Sequence, residues 1–448
     1  MTRRVTLFAL LALLLAVLAA GCGGDDDGGE PAAGGETAAT EEGGEEVSGS
    51  ISLMGIWVGQ EQESIQAVLD GFTEANPDVD VEYIPAGDEI VTRLSTAIEG
   101  GNPPDLATVA QPGTIADFVD QGVLQPLDFA EQATLDNFGE SVVQVGSVED
   151  TLYGILFKAA NKSTVWYNVP AYEDAGVEPA EDWETFLANG ETIKASGVPA
   201  YSIGGADGWT LTDLFENIYI RTAGADMYDQ LAAHEIPWTD QSVKDALTEM
   251  AKILGDPDNI AGGTQGALQT DFPTSVSQVF SESPKAAQVI EGDFVASEIT
   301  AATEAEPETG YNLFTFPAIN DSPPSVVGAG DFVVMFNDSP AAQALVEYLA
   351  TPEAAQIWAE RGGFSSANLN LDPAVYPNEI QRSVAAAIAD AAEAEAFRFD
   401  LSDLQPSAFG GTVGQGLFKL FQDFLANPDD VDGISQQMED AAAQAFGQ

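Results

Sequence analysis

A chain of 448 residues with one cysteine and one histidine can build no internal disulfide, no cysteine-rich metal cluster and no pair of imidazoles around zinc. Cations are nearly as scarce. Seven Lys and seven Arg stand against 73 Asp and Glu, a formal charge of −59. A surface of that sign repels phosphate backbones and anionic head groups, which excludes nucleic acid as a partner. The lone His234, in Ala233-His234-Glu235-Ile236-Pro237, has no second histidine to complete a zinc site and reads as a surface or hydrogen-bonded structural residue. The sequence has no Gly-x-x-x-x-Gly-Lys-Ser/Thr phosphate loop, no Gly-x-Ser-x-Gly elbow and no kinase set. No cofactor and no metal are expected. The 45% hydrophobic content is enough, at this length, for two or more globular units.

Residues 1–21 read as an export signal, because Arg3 and Arg4 precede an uncharged apolar run from Val5 to Ala20 that ends in small residues. A spanning helix needs about 20 apolar residues, so this somewhat short run fits a cleaved signal better than a permanent anchor. The string LAAGC at Leu18 to Cys22 resembles the lipobox of prokaryotic lipoproteins, with Ala19 where the commonest form has Leu. Cys22 is therefore the expected lipidation site. Thr2 to Leu7 is also weakly similar to a twin-arginine signal, which leaves the export route open. Residues 22–48 carry Asp25, Asp26, Asp27, Glu30, Glu36, Glu41, Glu42, Glu45 and Glu46 among Gly, Ala and Thr, a composition too polar to fold. A charged tether of this length spans some 25–30 Å or more. The expected location is the outer face of a cytoplasmic membrane, or the periplasm, with the body held by its lipid.

From Ile51 the pattern alternates strands with amphipathic helices. Ile51 to Trp57, Val79 to Tyr83 and Leu106 to Val109 read as strands, separated by helices at Gln62 to Ala75 and Asp88 to Glu99. That order implies a parallel sheet with ligands beyond its carboxyl ends, where Trp57, Gln60, Glu61 and Gln111 sit. Farther on, Ser163 to Tyr167 predicts a strand and Trp183 to Lys194, Leu211 to Thr222 and Ser242 to Leu254 predict helices. Phe280, Val289 and Ile290 mark a buried strand region, and Val333 to Phe336 another. The closing helices fall at Ser339 to Arg361, Ile380 to Ala396, Val413 to Leu425 and Ile434 to Phe446.

With acidic residues everywhere, no single carboxylate pair stands out as a hydrolase's acid and base. Asp430-x-Asp432-Gly433 followed by Glu439 faintly echoes a calcium loop, but Pro428 occupies its first carboxylate position, and a helix capped by Asp432 is the expected structure. Asn161-Lys162-Ser163 and Asn337-Asp338-Ser339 are glycosylation sequons by pattern only. Aromatics remain. Six Trp, ten Tyr and 23 Phe accompany few cations, the combination that stacks on the apolar faces of sugar rings while carboxylates and amides take the hydroxyls. Trp57, Trp209 in Asp207-Gly208-Trp209-Thr210, and Phe294 in Glu291-Gly292-Asp293-Phe294 sit beside acidic residues or glycine rather than in apolar stripes.

Several blocks together resemble the extracellular solute-binding proteins (family 1) of ABC sugar importers, most closely the branch that binds alpha-glucosides. They are WYNVPAYEDAGVEPAEDWETF from Trp166, GGADGWTLTDLFENIYIRTAG from Gly204, AHEIPWTDQSVKDAL, VIEGDFVASE, FPAINDSPPSVVGAGDFVVMFNDSP, EYLATPEAAQIWAERGGF and FRFDLSDLQPSAFG from Phe397. They span nearly the whole body from Ile51 to Phe446. The resemblance implies an α/β, two-lobe periplasmic-binding-protein-like fold of type II, hinged between the lobes, with the ligand cleft at their interface. It places lobe 1 at 49–157 plus 318–363 and lobe 2 at 158–317 plus 364–448. It also implies a ligand-binding set of Trp57, Gln60, Glu61, Gln111, Asp207, Trp209, Phe294 and Asp331, with Phe294 standing where many relatives carry a stacking Trp. The function so implied is capture of a carbohydrate, an alpha-glucoside of the maltose, sucrose or trehalose type, for delivery to an ABC permease. A monomer without catalysis is expected. The alternatives are a secreted carbohydrate-active hydrolase and an adhesion or sensory protein without a small-molecule cleft. The acidity suggests a saline habitat, since salt screens self-repulsion.

Overall fold

The computed structural model describes residues 47–447, so the export signal, Cys22 and almost all of the tether lie outside the described residues. Its strands run as β1 (Gly49–Gly55), β2 (Val79–Pro85), β3 (Leu106–Val109), β4 (Ser147–Val148), β5 (Thr151–Leu152), β6 (Gly154–Asn161), β7 (Thr164–Asn168), β8 (Tyr201–Ser202), β9 (Gln288–Ile290), β10 (Tyr311–Thr315), β11 (Val326–Met335) and β12 (Phe397–Phe399). β1 pairs in parallel with β2 on one side and β3 on the other, as the alternating opening requires. The larger sheet continues through β11, which is antiparallel to both β3 and β6 and parallel to β12. The smaller sheet has the order β10-β7-β9-β8.

Both faces of the larger sheet are covered, and the two-residue alternation of its strands divides the core accordingly. Leu53, Ile155, Phe157, Val333 and Met335 enter one apolar cluster, while Met54, Leu156, Phe332 and Val334 enter the other. The smaller sheet anchors a separate core around Trp183, Phe215, Trp238 and Phe421, which the last helices, Gly416–Ala426 and Val431–Ala445, complete.

The chain passes between the two sheets three times. β6 ends at Asn161 and β7 begins at Thr164; β10 ends at Thr315 and β11 begins at Val326; and after β12 the chain returns to the helices of the smaller sheet. The boundary expected after Phe157 therefore falls inside β6, and β12, expected with the second lobe, pairs with β11 in the larger sheet. Lys158 interrupts the apolar pattern of β6, which is buried along its whole length.

Three helical details differ from expectation. The stretch from Ser339 to Arg361 is two helices, Pro340–Leu349 and Pro352–Ala359, because Thr351 caps the second and Pro352 can only occupy its first turn. Phe280 ends the helix Phe272–Phe280 instead of entering a strand. Asp430, not Asp432, caps the last helix, accepting from the Gly433 N–H. No helix among the described residues is long and apolar enough to cross a membrane.

Candidate functional site

Two cavities adjoin the larger sheet, and their linings differ in kind. One, of about 620 Å³, lies under the helix Glu379–Glu393 and is walled by Leu156, Tyr376, Ile388 and Phe399. The polar side chains on its wall have partners: Ser366 accepts from Asn368, Asn368 from Asn370, and Arg398 donates to Asp229. Among the described residues its wall carries no carboxylate and is mostly apolar. The other, of about 250 Å³, opens between the two sheets and mixes aromatic faces with charged and amide groups from both.

The larger sheet supplies one wall. Trp57 follows the carboxyl end of β1 and is only 1% exposed; its ring meets Trp358 edge-on at 4.9 Å and its Nε1 donates to Asp331 Oδ2 at 2.6 Å. Asp331 lies in β11 directly opposite Lys158 of β6, at a register shift that redirects the strand. Lys158 Nζ in turn donates to Glu61 Oε1 at 2.6 Å, from the first turn of the helix Gly59–Ala75. Burial alone would lower the Lys158 ammonium, and Glu61 and Asp331 hold it above its ordinary value, so it stays charged. Burial pushes the Asp331 carboxyl up, opposed by that lysine. Gln111 precedes the helix Pro112–Asp120, is 8% exposed, and its Oε1 has no protein partner.

The smaller sheet and its helices supply the opposite wall. Trp209 opens the helix Trp209–Ala223 and is half-buried, packed against Phe272 at 5.2 Å and edge-on to Phe294 at 5.8 Å. Gly208, at φ 87°, makes that start possible: a Cβ there would lie 2.6 Å from the Cβ of Phe418. Asp207 accepts from the Phe272 N–H at 2.6 Å, and burial pushes its carboxyl up to about 6. Asp88 faces this group from the other wall; burial raises it too, against the pull of the Trp209 indole.

Of the residues singled out from sequence, Trp57, Glu61, Gln111, Asp207, Trp209, Phe294 and Asp331 line this one cavity, and Gln60 does not. The lining also holds Asp88, Lys158, Lys162, Phe272, Glu298, Asp403 and Phe418, none of which the sequence marked as a ligand-binding residue. Two of the chain's seven lysines stand four apart in FKAANK, and that rarity was a usable signal. Phe272 carried none.

The model of the bacterial extracellular solute-binding proteins matches residues 58–356. The chain belongs to that family. The resemblance read from the sequence, to the solute-binding proteins of ABC sugar importers, therefore holds. Among curated relatives, the osmoprotective compounds-binding protein GgtB of Synechocystis sp. is 32% identical over 383 residues, 84% of this chain and 89% of that protein. The alpha-glucosides-binding periplasmic protein AglE of Rhizobium meliloti is 31% identical over 389 residues, 84% of this chain and 83% of AglE. The solved structure of the solute receptor AcbH matches with a TM-score of 0.77 at 19% identity, covering 89% of this solute-binding protein and 100% of AcbH. The expected two-lobe α/β fold is thus the fold of this family member.

Proposed function

We propose that this solute-binding protein is a lipid-anchored receptor, held through Cys22, that captures an alpha-linked glucoside between two lobes and delivers it intact to an ABC permease. The lobes divide at the three passages between the sheets, so that β6 and β12 move with the larger one. The observation that carries the reading is the cavity itself: the half-buried Trp209 ring, with Phe272 and Phe294 beside it, faces carboxylates and the unpartnered Gln111 amide across the gap. Flat rings against acids and amides suit a polyhydroxylated ring, whose C–H face stacks and whose hydroxyls donate. The name of AglE specifies alpha-glucosides and supports that class, while the AcbH description specifies β-D-galactopyranose, so the fold alone does not select the sugar.

Closure over the ligand would desolvate the carboxylates and present one shape to the permease. A thermal-shift panel of maltose, sucrose, trehalose and galactose tests the class, since only a ligand of the folded state raises the melting temperature. The three alpha-glucosides should raise it and be recovered unhydrolysed after overnight incubation. A shift with galactose alone overturns the glucoside assignment, and no shift with any sugar overturns sugar capture.

A further inference from the structure

Lys162 lies in the first passage between the sheets and is buried although it carries a charge. Its Nζ donates to Asp400 Oδ2 at 2.6 Å and to Asp213 Oδ1 at 2.9 Å. Asp400 follows β12 immediately, at the third passage, and its N–H donates to the Gly328 carbonyl of β11 at 2.7 Å. The Lys162 N–H donates to the Val327 carbonyl at 2.9 Å, where the second passage enters β11. On its other side the Lys162 carbonyl accepts from Asn217 Nδ2 at 2.9 Å, and Asn217 and Asp213 both project from the helix that Trp209 begins. Ser163 repeats the tie, its Oγ donating to Asn217 Oδ1 at 2.6 Å and accepting from the Val327 N–H at 2.8 Å.

All three passages and the Trp209 helix thus meet at one residue, its side chain holding Asp400 and Asp213 and its backbone holding Val327 and Asn217. An ammonium has three donors, and two carboxylates account for only part of them. The Lys162 ammonium also faces the Trp209 ring, 5.6 Å from its centroid, where a desolvated cation is attracted by the π face. Phe272 and Phe294 pack against the same indole, so its placement is fixed by apolar neighbours and by this charge together.

We propose that Lys162 is a positioning residue of the sugar site: it sets the Trp209 ring and ties it to the three interlobe passages, so that seating a sugar and closing the lobes are one coupled event. This rests on the sugar reading above. A lysine serving only as a structural ion pair would bind its two carboxylates without influencing the ring.

Lys162→Met strands two buried carboxylates and is expected to unfold the protein, so the informative variant is Lys162→Arg, which keeps the charge but spreads it over a longer, planar head. The test is a double-mutant cycle with Trp209→Leu, titrating maltose, sucrose and trehalose calorimetrically. Lys162→Arg alone should weaken the best-bound sugar roughly tenfold, and in the Trp209→Leu background by less than about twofold. Equal losses in both backgrounds, or no loss in the first, overturn the inference. A ligand-free arm separates it from the function reading. The Trp209 emission, taken as the difference between proteins with and without that residue, should shift on Lys162→Arg; an unchanged spectrum overturns the placement of the ring by Lys162. Failure of every sugar to bind the unaltered protein, with the emission shift present, sinks sugar capture and leaves that placement standing.

Discussion

Trp57 gives its indole N–H to Asp331 at 2.6 Å from a ring that is only 1% exposed, and so holds in place a carboxylate of the cavity wall. The half-buried Trp209, on the facing wall, has the free ring surface that stacking needs.

These two tryptophans should therefore fail differently. Trp209→Ala is expected to cost on the order of 2 kcal/mol of sugar affinity with little change in melting temperature. Trp57→Ala empties a buried site and should cost about 3–5 kcal/mol of stability, measured by denaturant unfolding. Equal stability losses for the pair would contradict this division of roles.

Gln111→Leu should move stability and affinity in opposite directions. In the free protein Gln111 Oε1 is buried without a partner, and removing such a group relieves about 1–3 kcal/mol of desolvation cost. If a sugar hydroxyl donates to that oxygen, the variant melts higher yet binds more weakly. A variant that binds sugar as tightly as the unaltered protein would remove Gln111 from the site.

The pH dependence of stability follows from Asp293, which is buried and accepts from the Asn161 N–H at 3.3 Å and from the Ser365 hydroxyl. Burial pushes its carboxyl up to about 6. The folded state then binds the proton more tightly than the unfolded chain, whose Asp titrates near ~3.9. Its stabilising contribution is complete below that value and is lost as pH rises through 6, a loss of up to about 3 kcal/mol. Unfolding free energies at pH 4.5 and 7.5 should differ less for Asp293→Asn than for the unaltered protein. An unchanged difference would show that the carboxyl titrates normally.

Salt should stabilise this chain more than most. A charge of −59 repels itself over distances that screening shortens from about 30 Å at 0.01 M to about 3 Å at 1 M. Melting temperature should climb between dilute buffer and 1 M KCl. A flat response would remove the case for a saline habitat.

Local pattern was enough to show the β-α-β-α-β opening, most helices and the aromatic candidates, because periodicity and capping are written in neighbouring residues. β6 was not legible as a strand, since it is buried on every face and so shows neither alternation nor an apolar run unbroken by Lys158. Phe272 was equally silent: a phenylalanine reads the same in a core and in a cleft, and only the packing of its helix against Trp209 tells them apart.

By itself, then, the sequence determined an acidic chain of alternating strands and helices, with aromatics beside carboxylates and few His, Cys and Lys. Only the tertiary structure decided which of those side chains share a cavity, that Trp57 supports while Trp209 faces the opening, and that Lys162 joins three distant segments. The reason is physical: propensity and patterning act over a few residues, whereas the site is made of strand ends and helix starts up to hundreds of residues apart, brought together by the pairing of β6, β11 and β12 and by the burial of the cores on either side.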